Sequence, residues 1–262
     1  MLKNRLIPCL LLKNGLLVRS ELFSIHQVIG NPVHEVERFS QWSVDELIYL
    51  DISETETYDL RRGDTKVKGT DDQLRILEEV SCRCFMPLTF GGRIRTIDDI
   101  RERIQKGADK IAINTAAVET PSLVTEGAKM FGSQCIVVSI DVMRHPDGRC
   151  EVYTRGGKKP TGRNPAEWAR EVENLGAGEI FLNSIDRDGT GQGYDLDLIR
   201  EVTDVTRIPI IACGGVGQYG DFAKGIKAGA SAVSAANIFH FKELSDRNAK
   251  RAMQKAGVAV RI

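Results

Sequence analysis

The sequence carries no excess of charge of either sign. Lys+Arg and Asp+Glu both number 36 in 262 residues, which leaves no basic face for nucleic acid or an anionic membrane. No apolar run extends much beyond strand length, so no membrane-spanning segment is expected. Met1–Pro8 runs directly into a strand-like pattern without a signal-peptide cleavage pattern. The six cysteines (Cys9, Cys82, Cys84, Cys135, Cys150 and Cys213) are too scattered for a disulfide framework. Three of them fall in strand-like runs, where a thiol behaves as a small buried apolar group. A reduced, cytoplasmic compartment is the expectation. Linkers and low-complexity tracts are also missing, so 1–262 reads as one domain.

What the sequence does have is an internal echo. VDELIYLDIS (Val44–Ser53) recurs as AGEIFLNSI (Ala177–Ile185), and RCFMPLTFGGRI (Arg83–Ile94) as RIPIIACGGVG (Arg207–Gly217). GADKIAIN (Gly107–Asn114) recurs as GASAVSAAN (Gly229–Asn237), and RLIPCLLL (Arg5–Leu12) as CIVVSIDV (Cys135–Val142). In the last pair the second copy carries Asp141 where the first carries Leu11. Strands are expected near 5–12, 45–52, 85–91, 109–114, 134–141, 179–184, 208–213 and 231–236. Amphipathic stretches such as Asp71–Glu79, Ile97–Lys106 and Pro165–Leu175 alternate with them. Continuous Val/Ile/Leu strands joined by helices imply a parallel sheet covered on its outer side. Eight units in two related halves, roughly 1–130 and 131–262, predict a single (β/α)8 barrel with a twofold half-barrel repeat. Asn14–Val33 and Arg144–Asn164 read as longer irregular loops over its active end.

In such a barrel, function gathers at the C-terminal strand ends. Strand three ends Gly91-Gly92-Arg93 and strand seven Gly214-Gly215-Val216; paired glycines let backbone N–H groups approach an anion. Strand four ends Asn114-Thr115 and strand eight Ala236-Asn237, with short polar side chains at helix starts. Two glycine loops in symmetric places suggest a ligand with a phosphate at each end. Between them, Asp141 and Asp186-Arg187-Asp188-Gly189-Thr190 offer carboxylates for general acid–base work. At the opposite end Arg5, Glu46, Lys110 and Glu179 stand at strand starts. By alternation, Arg5 shares a face with Leu11, Lys110 with Asn114 and Glu179 with Asn183. These four charges form either a structural salt-bridge ring or a gate over the barrel axis.

The motifs LIPCLLLKNG, DELIYLDI, GADKIAINTAAVETPSL, FGSQCIVVSID, GAGEIFLNSIDRDGTGQGYD and IPIIACGGVG resemble, end to end, the cyclase subunit (HisF) family of imidazole glycerol phosphate synthase. The resemblance implies a barrel that joins ammonia to an aminoimidazole carboxamide ribonucleotide bearing two phosphates. A separate glutaminase at the barrel bottom supplies the ammonia. It also implies one phosphate site at Gly92, Asn114 and Thr115, with Arg93 in the place of a third loop glycine. The second site falls on Asp188, Gly189, Gly215, Ala236 and Asn237. It further implies an ammonia gate at Arg5, Glu46, Lys110 and Glu179, a glutaminase contact at Asp109, and a catalytic Asp141. No metal or cofactor is implied.

The resemblance breaks at the centre. The family motif Cys-Leu-Asp-Val-Lys-Asp-Gly here reads Cys9-Leu10-Leu11-Leu12-Lys13-Asn14-Gly15, so Leu11 replaces the first catalytic aspartate. Arg19 stands for a mobile-loop lysine. CLLLKNG resembles family members that serve amidination of sugars for bacterial surface polysaccharide. Two functions follow as expectations: an ammonia-delivering paralogue acting with a glutaminase and a third, amidating enzyme, or an ordinary histidine-pathway cyclase. A single-chain sugar isomerase of the sister barrel family would need two carboxylates and no gate.

Overall fold

The computed structural model describes residues 3–42, 44–55, 57–59, 70–241 and 245–261. Eight parallel strands form the centre: β1 (Arg5–Lys13), β2 (Leu47–Asp51), β3 (Leu88–Gly91), β4 (Lys110–Ile113), β5 (Ile136–Arg144), β6 (Glu179–Ser184), β7 (Ile210–Cys213) and β8 (Ala232–Ala235). Each pairs with the next, β8 pairs with β1, and the ring is closed. Register puts Leu11 beside Leu50, Asp141 beside Asn183, and Arg5 beside Ala232. This is the predicted (β/α)8 barrel.

Alternation along the strands makes two cores. Inward residues Ile7, Cys9, Ile48, Ala112, Val137, Phe181, Ile211, Cys213 and Ala232 fill the lumen, with Leu11 and Leu50 packed against them. Outward residues such as Leu6, Leu10, Tyr49, Phe90 and Ile180 join the helical layer. The lumen is packed and mainly apolar, as this architecture requires, with the buried hydroxyls of Thr89, Ser139 and Ser234 in register with Ile48, Phe181 and Ile7.

Local signals set the helices. Pro165–Leu175 starts where the Asn164 side chain accepts from Ala166 N–H and Glu167 N–H, and ends at Gly176 in the left-handed region. Ile97–Gln105 begins with a reciprocal capping box between Thr96 and Asp99. The stretch expected at Asp71–Glu79 is a helix over Gln73–Ser81, because Asp72 rather than Asp71 caps it. Among the described residues no helix is long and apolar enough to cross a membrane.

Two expectations change. Asn14–Val33 is not irregular: Leu16–Glu21 folds back antiparallel on β1, and Ile25–Gly30 pairs with it. Arg144–Asn164 likewise contains Cys150–Thr154 paired antiparallel with the end of β5, followed by Lys159–Pro160. Both segments therefore rise from the mouth as hairpins, on the two strands that the internal repeat equates. Cys135 lies in a 3-10 turn, Ser133–Cys135, before β5 rather than within it. All six cysteines are free.

Candidate functional site

At the N-terminal mouth four strand-start side chains close a circuit. Arg5 Nη1 donates to Glu46 Oε1 at 2.7 Å and Nη2 donates to Glu179 Oε1. Lys110 Nζ donates to Glu46 Oε2 at 2.8 Å and to Glu179 Oε2 at 3.0 Å. Each carboxylate thus bridges both cations, and both glutamates are buried. Asp109 sits beside this ring on the exposed rim, its Oδ2 accepting Leu88 N–H at 2.8 Å. The ring is fully cross-paired, which is how buried charge becomes tolerable.

At the C-terminal mouth Asp141 is 8 % exposed. Asn114 Nδ2 donates to its Oδ2 at 3.2 Å, and the Ser139 hydroxyl lies 3.4 Å from Oδ1. Burial pushes the carboxyl up to about 7, with Asp188 adding to the rise and Ser139 opposing it. Leu11 is half-buried over the lumen cluster and has no proton to exchange.

The two glycine loops differ. At the first, Gly92 has φ +109°, and a Cβ there would come within 2.3 Å of Asp51 O. Arg93 follows with φ +57°. Its guanidinium lies 4.6 Å from the Tyr58 ring centroid, and its Nε is 3.3 Å from Asp51 Oδ2, which also accepts the Tyr58 hydroxyl at 2.7 Å. Asn114 turns inward, donating to Ser139 O as well as Asp141, and Thr115 Oγ1 accepts Arg155 N–H at 3.0 Å. At the second loop Gly215 has φ +97°, with Gly193 O only 2.3 Å from a would-be Cβ.

The first hairpin reaches the segment after β6 and the end of β8. Ser20 Oγ donates to Asp188 Oδ2 at 2.6 Å, Phe23 N–H donates to the same oxygen at 3.3 Å, and Asn237 Nδ2 donates to Ser20 O at 2.8 Å. A side chain at Gly189 would meet Ser20 O at 2.6 Å. Ala236 is half-buried beside Asn237. Arg19 points away from this contact: its Nε donates to Gln27 Oε1 at 2.8 Å and its guanidinium lies 5.8 Å from the Phe241 ring centroid.

The sequence matches the histidine biosynthesis protein family over residues 5–245. The chain belongs to that family. A similar relative is the imidazole glycerol phosphate synthase subunit HisF of Gluconacetobacter diazotrophicus, 44% identical over 261 residues, covering 100% of this chain and 97% of that protein. Within the family frame, the structure brings Asn114 to Asp141, joins Asp188 and Asn237 through Ser20, and assembles the ring. It commits Arg93 to Asp51 and Tyr58. Sequence reasoning passed over Asp51, Tyr58 and Ser20. Asp51 had a signal, since it is a carboxylate at the end of a barrel strand; Tyr58 and Ser20 had none.

Proposed function

We propose that the chain is a HisF-like synthase subunit that takes glutamine-derived ammonia from a glutaminase partner at the N-terminal mouth and passes it along the barrel axis. The delivered ammonia supports amidination of a sugar in surface-polysaccharide (lipopolysaccharide) biosynthesis, with a third enzyme holding the acceptor. The observation that carries this reading is Leu11: the charged ring is complete, while the carboxylate that would complement Asp141 is missing. An apolar lumen such as Ile7, Val137 and Phe181 form favours neutral ammonia over ammonium, because an unpaired charge is costly to bury. Asp109, exposed beside the ring, supports a docked partner at that mouth. The amidination step rests on the CLLLKNG resemblance.

A second reading is the cyclase itself, which would form imidazole glycerol phosphate and aminoimidazole carboxamide ribonucleotide from the bisphosphate substrate and ammonia. Asp141 favours it, since a carboxyl pushed up to about 7 is poised to give and take protons at neutral pH. The deciding assay is turnover of that bisphosphate by the purified chain in excess ammonium salt at high pH, without a partner. The conduit reading expects none, together with stimulation of a glutaminase, and expects turnover to rise on Leu11→Asp. Wild-type turnover at the level of an ordinary cyclase would overturn it.

A further inference from the structure

Above the lumen, between the two hairpins, lies a cavity of about 300 Å³. None of the glycine-loop or Asp141-shell residues lines it. Phe23 and His26 come from the first hairpin, Gly157 and Lys158 from the second, Lys13 and Met143 from the ends of β1 and β5, and Ile185 from the turn after β6. The volume suits a molecule the size of one sugar ring, and Phe23, Met143 and Ile185 give it an apolar wall.

Among the described residues, the charges facing this space do not cancel. Lys158 Nζ is paired with Glu54 Oε1 at 2.6 Å, on the exposed rim. Lys13 Nζ instead lies 3.2 Å from His26 Nδ1. An ammonium group can only donate, so Nδ1 is the acceptor, the ring is uncharged, and its proton sits on Nε2. Lys13 is thereby positioned by a neutral partner, and among the described residues the compartment keeps one net positive charge plus an imidazole N–H donor.

We propose that this compartment binds a sugar-sized monoanion, with a carboxylate on Lys13 and the His26 Nε2–H as second donor. The site is separate from both glycine loops and independent of whether the barrel transmits ammonia. One uncompensated ammonium matches a carboxylate better than a phosphate dianion, and the apolar wall suits the face of a ring. Burial lowers the His26 pKa, Lys13 and Lys158 lower it further, and Glu54 opposes them. A carboxylate arriving beside Lys13 reverses the balance and raises it. Binding then takes up protons and tightens as pH falls toward the imidazole range.

The test is an NMR titration of the histidine rings in the intact protein, with His26 assigned through His26→Gln. Glucuronate is the probe; glucose and inorganic phosphate are the controls. Glucuronate is expected to raise the His26 pKa by about one unit, with no change from glucose, and Lys13→Met is expected to abolish the glucuronate response. An unmoved His26 at saturating millimolar glucuronate overturns the proposal on the wild-type protein alone. Phosphate that shifts His26 as strongly and competes with glucuronate overturns the assignment to a monoanion.

Discussion

Replacing Asp141 with asparagine should make the protein more stable, and increasingly so as pH rises. Asp141 is buried, its polar contacts are the Asn114 amide and the Ser139 hydroxyl, and its carboxyl is pushed up from 3.8 to about 7, first by burial. A folded-state pKa above the unfolded value means that the folded protein prefers the protonated acid. The penalty is absent below pH 3.8, grows as pH rises through the window up to about 7, and is fully present above it. About three units at 1.36 kcal/mol each bound the penalty near 4 kcal/mol, and relaxation around the site reduces this to about 2–4 kcal/mol.

Asparagine fits the same shape. Its Oδ1 can accept from Asn114 and its Nδ2 can donate to the Ser139 hydroxyl, so no polar group is stranded. Urea unfolding of both proteins at pH ~4, ~6 and ~8 should give a stability difference near zero at the lowest pH, rising by at most ~1.4 kcal/mol per unit. A difference that does not change with pH, or a variant less stable at pH ~8, would refute the argument. Success would mark Asp141 as a residue held against stability, as groups that do chemistry often are.

Three further outcomes follow from the same geometry. Lys110→Met leaves two buried glutamates sharing Arg5 alone and should cost about 3–5 kcal/mol in urea unfolding, part of which Glu46→Gln in the same chain should restore. Gly215→Ala puts a Cβ 2.3 Å from Gly193 O at φ +97°, whereas Gly156→Ala at φ +66° meets nothing within 4 Å. The first should lose several-fold more stability than the second, which should cost only the ~1–2 kcal/mol of a left-handed residue. His240 is pushed down to about 4 by burial and by Arg38. The unfolded chain therefore takes up this proton first, and stability should fall by up to about 3 kcal/mol as pH drops from ~6.5 to ~4. His240→Phe should flatten that acid limb in a thermal-shift series.

The barrel was legible because a parallel strand buried on both faces reads as an unbroken apolar run, and the repeat supplied the count. The Pro165–Leu175 helix was read to the residue because Asn164, Pro165 and Gly176 are all local signals. The hairpins were half legible. Asn14-Gly15, with φ +51° and +72°, joins paired Lys13 and Leu16, and this dipeptide is a strong hairpin signal that the reading of 14–33 as irregular overlooked. The next turn runs through Leu22 and Phe23 at φ +52° and +56°, and neither residue type announces a left-handed bend. The four charges of the ring were visible as strand-start residues, and strand alternation put Arg5, Lys110 and Glu179 on the inward face. The engagement of Arg93 with Asp51 and Tyr58 was not visible, because no periodicity links a residue after β3 to the end of β2 and the segment that follows it.

The ring also bears on how a doubled barrel comes to need both of its halves. Glu46 and Glu179 occupy equivalent places in the repeat, but Arg5 and Lys110 both belong to the first half, where the second has Cys135 and Ala232. Two copies of the first half would gather four cations around two carboxylates at that mouth, and two copies of the second would present two carboxylates with none. Only one of each balances. Electroneutrality at the barrel floor thus makes the two halves complementary rather than interchangeable.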